Sequence, residues 1–178
     1  MINDPQDILT FWKEAGPEKW FVKDPVFDAQ IAEHFEDSFE LACTGGYDDW
    51  TSTPEGALAV IIMLDQFSRN LYRDSPKAFA QDPKALEISK RALDAGLDAK
   101  MPEDLAYFSV MPLMHSENLD DQERCIAETK RMGRELKHAV EHRDIIKAFG
   151  RFPHRNGVLG RETTAEEKAF LDDGGFAG

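Results

Sequence analysis

Three stretches of the chain bring side chains capable of acid–base work or anion binding together at short spacing. The first is Asp65-Gln66-Phe67-Ser68-Arg69-Asn70-Leu71-Tyr72-Arg73. Asp65 and Arg69 stand four apart, so on a helix they share a face. An acid near a helix C-terminus opposes the macrodipole, and Asp65 therefore calls for a cationic partner, with Arg69 the nearest. The second is His115-Ser116-Glu117, followed closely by Gln122 and Arg124. A histidine at a helix C-terminus is favoured as the cation. The third runs from His142-Arg143-Asp144 to Arg151-Phe152-Pro153-His154-Arg155-Asn156. On a helical wheel His142 and Arg143 both fall on apolar stripes, where burial demands partners.

Each stretch sets acid, base or amide groups at or near a helix end. If those ends meet, they build one polar pocket, and three chemistries compete for it. The preferred expectation is a binding module for a small anion or a carboxylate-bearing peptide. Arg69, Arg151 and Arg155 would be bidentate donors, with Asn70, Gln122, Arg124, His142, Arg143 and Asn156 completing the lining. The second is an enzyme, with His115 or His154 as acid/base and Asp65 or Glu117 orienting it. The third is a purely structural one, a satisfied polar network that locks the helices of a protein-interaction scaffold.

Several shorter matches lead elsewhere. His138-Ala139-Val140-Glu141-His142 spells the H-x-x-E-H pattern of inverted zinc peptidases, which needs a third ligand and a cleft. Only 36 residues follow it, so helix-surface residues are expected instead. His142-Arg143-Asp144 matches the kinase tripeptide without a glycine-rich loop, a strand lysine or Asp-Phe-Gly. No Gly-x-Gly-x-x-Gly, Walker loop or Gly-x-Ser-x-Gly elbow occurs, so neither cofactor nor metal is expected. Cys43 and Cys125 fall on helical stripes as core thiols, and Trp12, Trp20 and Trp50 read as inter-helix wedges.

The elements that must position these groups are helices. Asp/Ser/Thr followed by Pro recurs at Asp4-Pro5, Asp24-Pro25, Thr53-Pro54, Ser75-Pro76 and Asp82-Pro83, a capping residue ahead of a proline at the first helical position. Stops follow at Gly16, Gly45-Gly46, Gly96, Gly133 and Gly150. The pattern predicts about eight helices, near 5–14, 25–43, 54–71, a short 76–80 running into 83–95, 103–115, 119–132, 134–149 and 164–172. The last has a capping box at Thr163 or Thr164 with Glu166 or Glu167. Ala57 to Leu64 is apolar all round, so its helix should be central. Pro112 should bend the helix that carries it. In the long connection from Arg151 to Glu162, Phe152 should pin the loop to the core. The fold class expected is all-α, with the pairs 25–43/54–71, 83–95/103–115 and 119–132/134–149 as antiparallel hairpins of a tetratricopeptide-like right-handed superhelical bundle.

A length of 178 residues fits a single domain over 1–178. With 42% hydrophobic and 31% charged residues, disorder is excluded as the default. No apolar run is long enough for a bilayer, and Met1-Ile2-Asn3-Asp4 opens no signal peptide. A reducing, cytoplasmic setting is expected from two isolated cysteines. The net charge of −13 argues against nucleic acid and anionic membrane as partners. That charge is uneven: Lys130 to Arg161 holds nine Lys/Arg against three Asp/Glu, and three of the histidines (His138, His142, His154). A localised site for a small anion is compatible with that distribution. The oligomeric state is not readable.

The longer motifs resemble a bacterial family of unknown function, domain of unknown function 924. The resemblance rests on Asp65-Gln66-Phe67-x-Arg69-Asn70-Leu71-Tyr72-Arg73, on Leu113-Met114-His115-Ser116-Glu117 with Asp121-Gln122-Glu123-Arg124, and on His142-Arg143-Asp144-Ile145-Ile146 through Phe149-Gly150-Arg151-Phe152-Pro153-His154-Arg155-Asn156 with Leu159-Gly160-Arg161. Ile8-Leu9-x-Phe11-Trp12 and Trp20-Phe21-x-Lys23-Asp24 extend it over essentially the whole chain. It implies an all-helical, tetratricopeptide-like fold and no established reaction. Ser68 stands where the family usually has proline. His138 and Glu141 lie outside the family motif.

Overall fold

In the computed structural model, which describes residues 3–176, the chain is helical throughout, with no strand among the described residues. Met1 and Ile2, part of the leader reading, lie outside them. The proline-capped starts place the helices. α1 (Pro5–Ala15) opens on Asp4, whose carboxylate accepts the Asp7 N–H while Asp7 accepts the Asp4 N–H. After the single turn α2 (Pro17–Trp20), α3 (Pro25–Cys43) opens on Asp24, which accepts from the Val26 and Phe27 N–H groups. α4 (Pro54–Ile61) opens on Thr53, which accepts from Gly56. Each cap satisfies donors that the helix itself leaves orphaned.

The expected helix 54–71 is continuous but not uniform. After α4, Ile62–Phe67 widens into a π-helix, and α5 (Ser68–Leu71) completes it. Two expectations need correction. Asp82 does not cap α6 (Asp82–Asp94); Gln81 holds that position without a side-chain bond, because the Asp82 carboxylate is taken by Arg69. Nor is 103–115 one helix. A 3-10 segment, Ala106–Ser109, is followed by the single turn α7 (Met111–Met114). Pro112 has no N–H to give, and the Ser109 hydroxyl donates to the Ala106 carbonyl that a continuing helix would use.

The chain divides into two compact units. The first comprises the chain up to Arg73 together with Lys77–Pro112. In it α4 packs against α1 and α6, and α3 against α5. Its core is aromatic: Trp12, fully buried, stands 5.6 Å from both Phe67 and Phe108 and 5.9 Å from Phe27. Burying each such ring stabilises the unit by about 1.5–3 kcal/mol. Ala57 to Leu64 is buried along its whole length, as its all-round apolarity requires.

The second unit comprises Asp74–Pro76 and the chain from Leu113 onward. α8 (Leu119–Arg131) and α9 (Lys137–Phe149) form an antiparallel hairpin. Asn118 caps α8, and Gly150, with φ +70°, ends α9 in the left-handed conformation that favours glycine. α10 (Ala165–Asp172) carries the expected capping box as Thr164 with Glu167. Ile145, Ile146 and the fully buried Phe152 form this unit's own core.

Candidate functional site

The first motif lies in the first unit, and the second and third lie in the second unit. Around the π-helix, Asp65 and Gln66 are buried, and Gln66 Nε2 donates to Asp65 Oδ2 at 2.6 Å. Arg69 is one turn away as expected, yet its Nη2 stays 3.9 Å from Asp65 Oδ1. It donates instead to the Asp65 carbonyl (2.8 Å), the Ala78 carbonyl (3.1 Å) and, from both terminal nitrogens, to Asp82 at 2.9 and 3.0 Å. Burial alone would ease its proton off, but Asp65 and Asp82 hold it more firmly charged than usual. Asn70 donates to Asp28, which also pairs with Arg73.

In the second unit the loop after Gly150 is organised by two carboxylates. Glu117 accepts from the Phe152 N–H (2.8 Å) and from Arg161 Nη1 and Nη2 at 2.7 and 2.9 Å. Burial pushes the Glu117 proton affinity up, but Arg161 and the Phe152 N–H outweigh it and hold the carboxyl below its ordinary range. Arg161 also donates to the Asn156 amide oxygen and the Phe152 carbonyl. Glu167 accepts Arg151 Nε and Nη2 at 2.6 and 2.9 Å, the Thr164 N–H and the Asn156 amide. The Arg151 bonds pull Glu167 down to about 2. Asn156, fully buried, joins the two pairs. Arg151 and Arg161 line a shallow surface cleft with Glu162 and Thr164, but their guanidinium groups are directed at these internal acceptors. Arg161 and Glu167 were not among the candidates read from sequence. The capping box signalled Glu167 only as a helix cap.

Gln122 is fully buried and donates to the Met114 and Ser116 carbonyls at 2.7 Å, closing the end of α7; its Oε1 is buried with no hydrogen-bond partner. Arg124 lies 3.6 Å from Glu128. Arg143 departs from the apolar-stripe expectation. Its side chain is partly exposed, bridging Glu123 across the hairpin (3.0 Å) and Asp144 (2.6 Å). His138 is exposed and lies 3.3 Å from Glu141. Its carbonyl is 2.8 Å from His142 Nδ1, which turns the His142 ring inward, away from the pattern of paired zinc ligands.

What remains is a histidine cluster. His142 is 6% exposed and Arg155 7%. The His142 ring lies 6.4 Å from His115 and 5.6 Å from Phe152, which in turn stands 5.6 Å from His154. The Arg155 guanidinium lies over the Phe152 ring at 4.7 Å, a cation–π contact that holds it in place. Burial drives both His142 and His154 down to about 4. For His154, Arg155 is the next cause; for His142 the His138 carbonyl opposes the shift and His115, His138 and Arg155 add to it. Both imidazoles are therefore neutral near pH 7. His154 Nδ1 is buried and has no hydrogen-bond partner among the described residues, a costly state for a ring nitrogen. Among the described residues no group of three His, Cys, Asp or Glu is placed to hold a metal ion, and no helix is long and apolar enough to cross a membrane.

The model of a family described as bacterial protein of unknown function (DUF924) matches residues 8–175. A solved structure of a protein of unknown function from Agrobacterium tumefaciens is similar, with 42% sequence identity, 95% of this chain and 97% of that chain covered, and a TM-score of 0.91. No curated protein matches the chain.

Proposed function

Because the chain belongs to the DUF924 family of bacterial proteins, whose function is unknown, we propose a function from its own residues: a binding protein for a small anion or carboxylate, received in the second unit by Arg155, His154 and His142. The observation that carries this is the buried His154 Nδ1 with no hydrogen-bond partner, on which the charges of Arg155 and, in the opposite sense, Glu117 both act. An arriving carboxylate gains a permanent cation and a ring N–H donor, and relieves a polar atom that burial now penalises. The paired Arg69, Arg151 and Arg161 are then the frame, held by Asp82, Glu167 and Glu117. The cytoplasmic setting belongs to the same proposal, supported by Cys43 and Cys125 not being joined in a disulfide. Nucleic acid and membrane stay outside it, on the acidic balance of the chain.

The test is a titration with acetate and with inorganic phosphate, followed through the imidazole nitrogen resonances. Binding should move His154 and His142 and raise both, because a bound negative charge favours the protonated rings against the burial and the Arg155 charge that now hold them down. Arg155→Ala, with an unchanged far-ultraviolet spectrum, should abolish the response. Unchanged binding in that variant would sink the assignment. Acid–base catalysis is the second reading, favoured by the strongly perturbed histidines. It requires turnover that His154→Gln removes while anion affinity persists.

A further inference from the structure

The histidine cluster already has an occupant. After α10, Gly174 adopts φ +83°, and the Gly175 N–H bonds back to the Phe170 carbonyl at 2.9 Å. The chain reverses there, in a turn of the kind that ends helices on glycine. A methyl group on Gly175 would lie 2.5 Å from that same carbonyl, so the turn admits no side chain at this position. Its result is to bring Phe176 onto the cluster. The Phe176 ring lies 4.6 Å from the His142 ring and meets the His154 ring edge-on at 5.1 Å.

Two consecutive glycines thus serve to seat one aromatic ring between the buried His142 and the half-buried His154, with Arg155 held nearby on Phe152. A slot for a flat ring beside a guanidinium and an imidazole nitrogen that can carry a proton matches one ligand chemistry, an aromatic ring carrying a carboxylate a few bonds away. We propose that Phe176 holds the place of the aromatic end of an aryl carboxylate, and that this ligand enters by lifting the Gly174–Phe176 turn and inserting its own ring. The inference rests on the anion reading above, and adds to it the ligand class and a self-supplied competitor. While Phe176 is seated, only the fraction of molecules with the turn lifted can bind the ring, so the apparent affinity falls by that fraction.

The experiment is calorimetric titration of the full chain, as wild type, Phe176→Ala and Gly175→Ala, with 3-phenylpropionate and with acetate. Phe176→Ala should bind 3-phenylpropionate about tenfold more tightly than wild type does, with acetate affinity unchanged. Gly175→Ala displaces the turn while keeping the ring, and should give a gain in the same direction. Acetate binding with equal 3-phenylpropionate affinity in all three proteins would overturn the role of Phe176 and leave the anion reading standing. So would a Phe176→Ala protein that prefers acetate. Failure of both acids to bind any of the proteins, Phe176→Ala included, would overturn the anion reading and this inference with it.

Discussion

Acidification from pH 7 to pH 5 should destabilise this protein through two histidines. In the unfolded chain an imidazole takes its proton near pH 6.5. In the folded chain burial holds His142 and His154 at about 4. A folded-state value below the unfolded one means that the neutral ring is the stabilised form. Its contribution is complete above pH 6.5 and is lost as pH falls toward 4. At pH 5 an unfolded imidazole is about 97% protonated and a folded one about one-tenth, which costs about 2 kcal/mol per histidine and about 4 kcal/mol for both. Glu117 and Glu167 lie on the other side of this window. Their folded values are lowered, so their contribution persists until pH falls below the ordinary carboxylate range. Urea denaturation at pH 7 and pH 5 measures the difference directly. His142→Gln and His154→Gln should each remove about half of the loss, and the double variant nearly all of it. A double variant that loses as much stability as the wild type between these two pH values would refute the claim that the fold holds these rings neutral.

Other perturbations test the frame. Glu117→Gln keeps an acceptor for the Phe152 N–H but removes the charge facing Arg161; urea denaturation should show a loss of about 1–2 kcal/mol, and a double-mutant cycle with Arg161→Met a coupling of similar size. A coupling under about 0.3 kcal/mol would place the pair among ordinary surface bridges. Arg69→Met leaves Asp82 and the Asp65 and Ala78 carbonyls without their donor, and thermal melting should report a loss of about 3 kcal/mol. Alanine normally improves a helix interior, yet Gly56→Ala should destabilise by about 2–3 kcal/mol in the same assay, since the added methyl would lie 2.2 Å from the Trp50 carbonyl oxygen.

The helices whose start and stop are both local were legible from composition and spacing. α3 runs from Pro25 to Cys43 as expected because Asp24, Pro25 and the Gly45-Gly46 stop are all within reach of its own ends. The break at Ser109 and Pro112 was half visible: proline announced a bend, but the hydroxyl that takes the Ala106 carbonyl leaves no periodic trace. The Arg69–Asp82 pair was not legible, because Asp82 carries an equally good local reading as a cap. Only the folded chain shows which partner prevails. His142 was read as buried from its stripe and is buried. Arg143 was not well read, since a wheel of α9 alone does not contain Glu123 on the facing helix. Phe176 left no signal, being one aromatic in a glycine-rich stretch beyond the last periodic segment.

The π-helix at Ile62–Phe67 fixes the phase of the first motif. The Ser68 N–H reaches the Met63 carbonyl five residues back, so the segment holds one residue more than an α-turn would. Everything after it is rotated by roughly 100° from where an unbroken helix would place it. In that phase Arg69 meets Ala78 and Asp82, and Asn70 meets Asp28. Deleting any one residue from Ile62 to Phe67 would restore a regular helix with full backbone bonding and point both side chains elsewhere. This part of the chain is therefore indexed by its residue count, and should accept exchanges of apolar side chains more readily than any change in length.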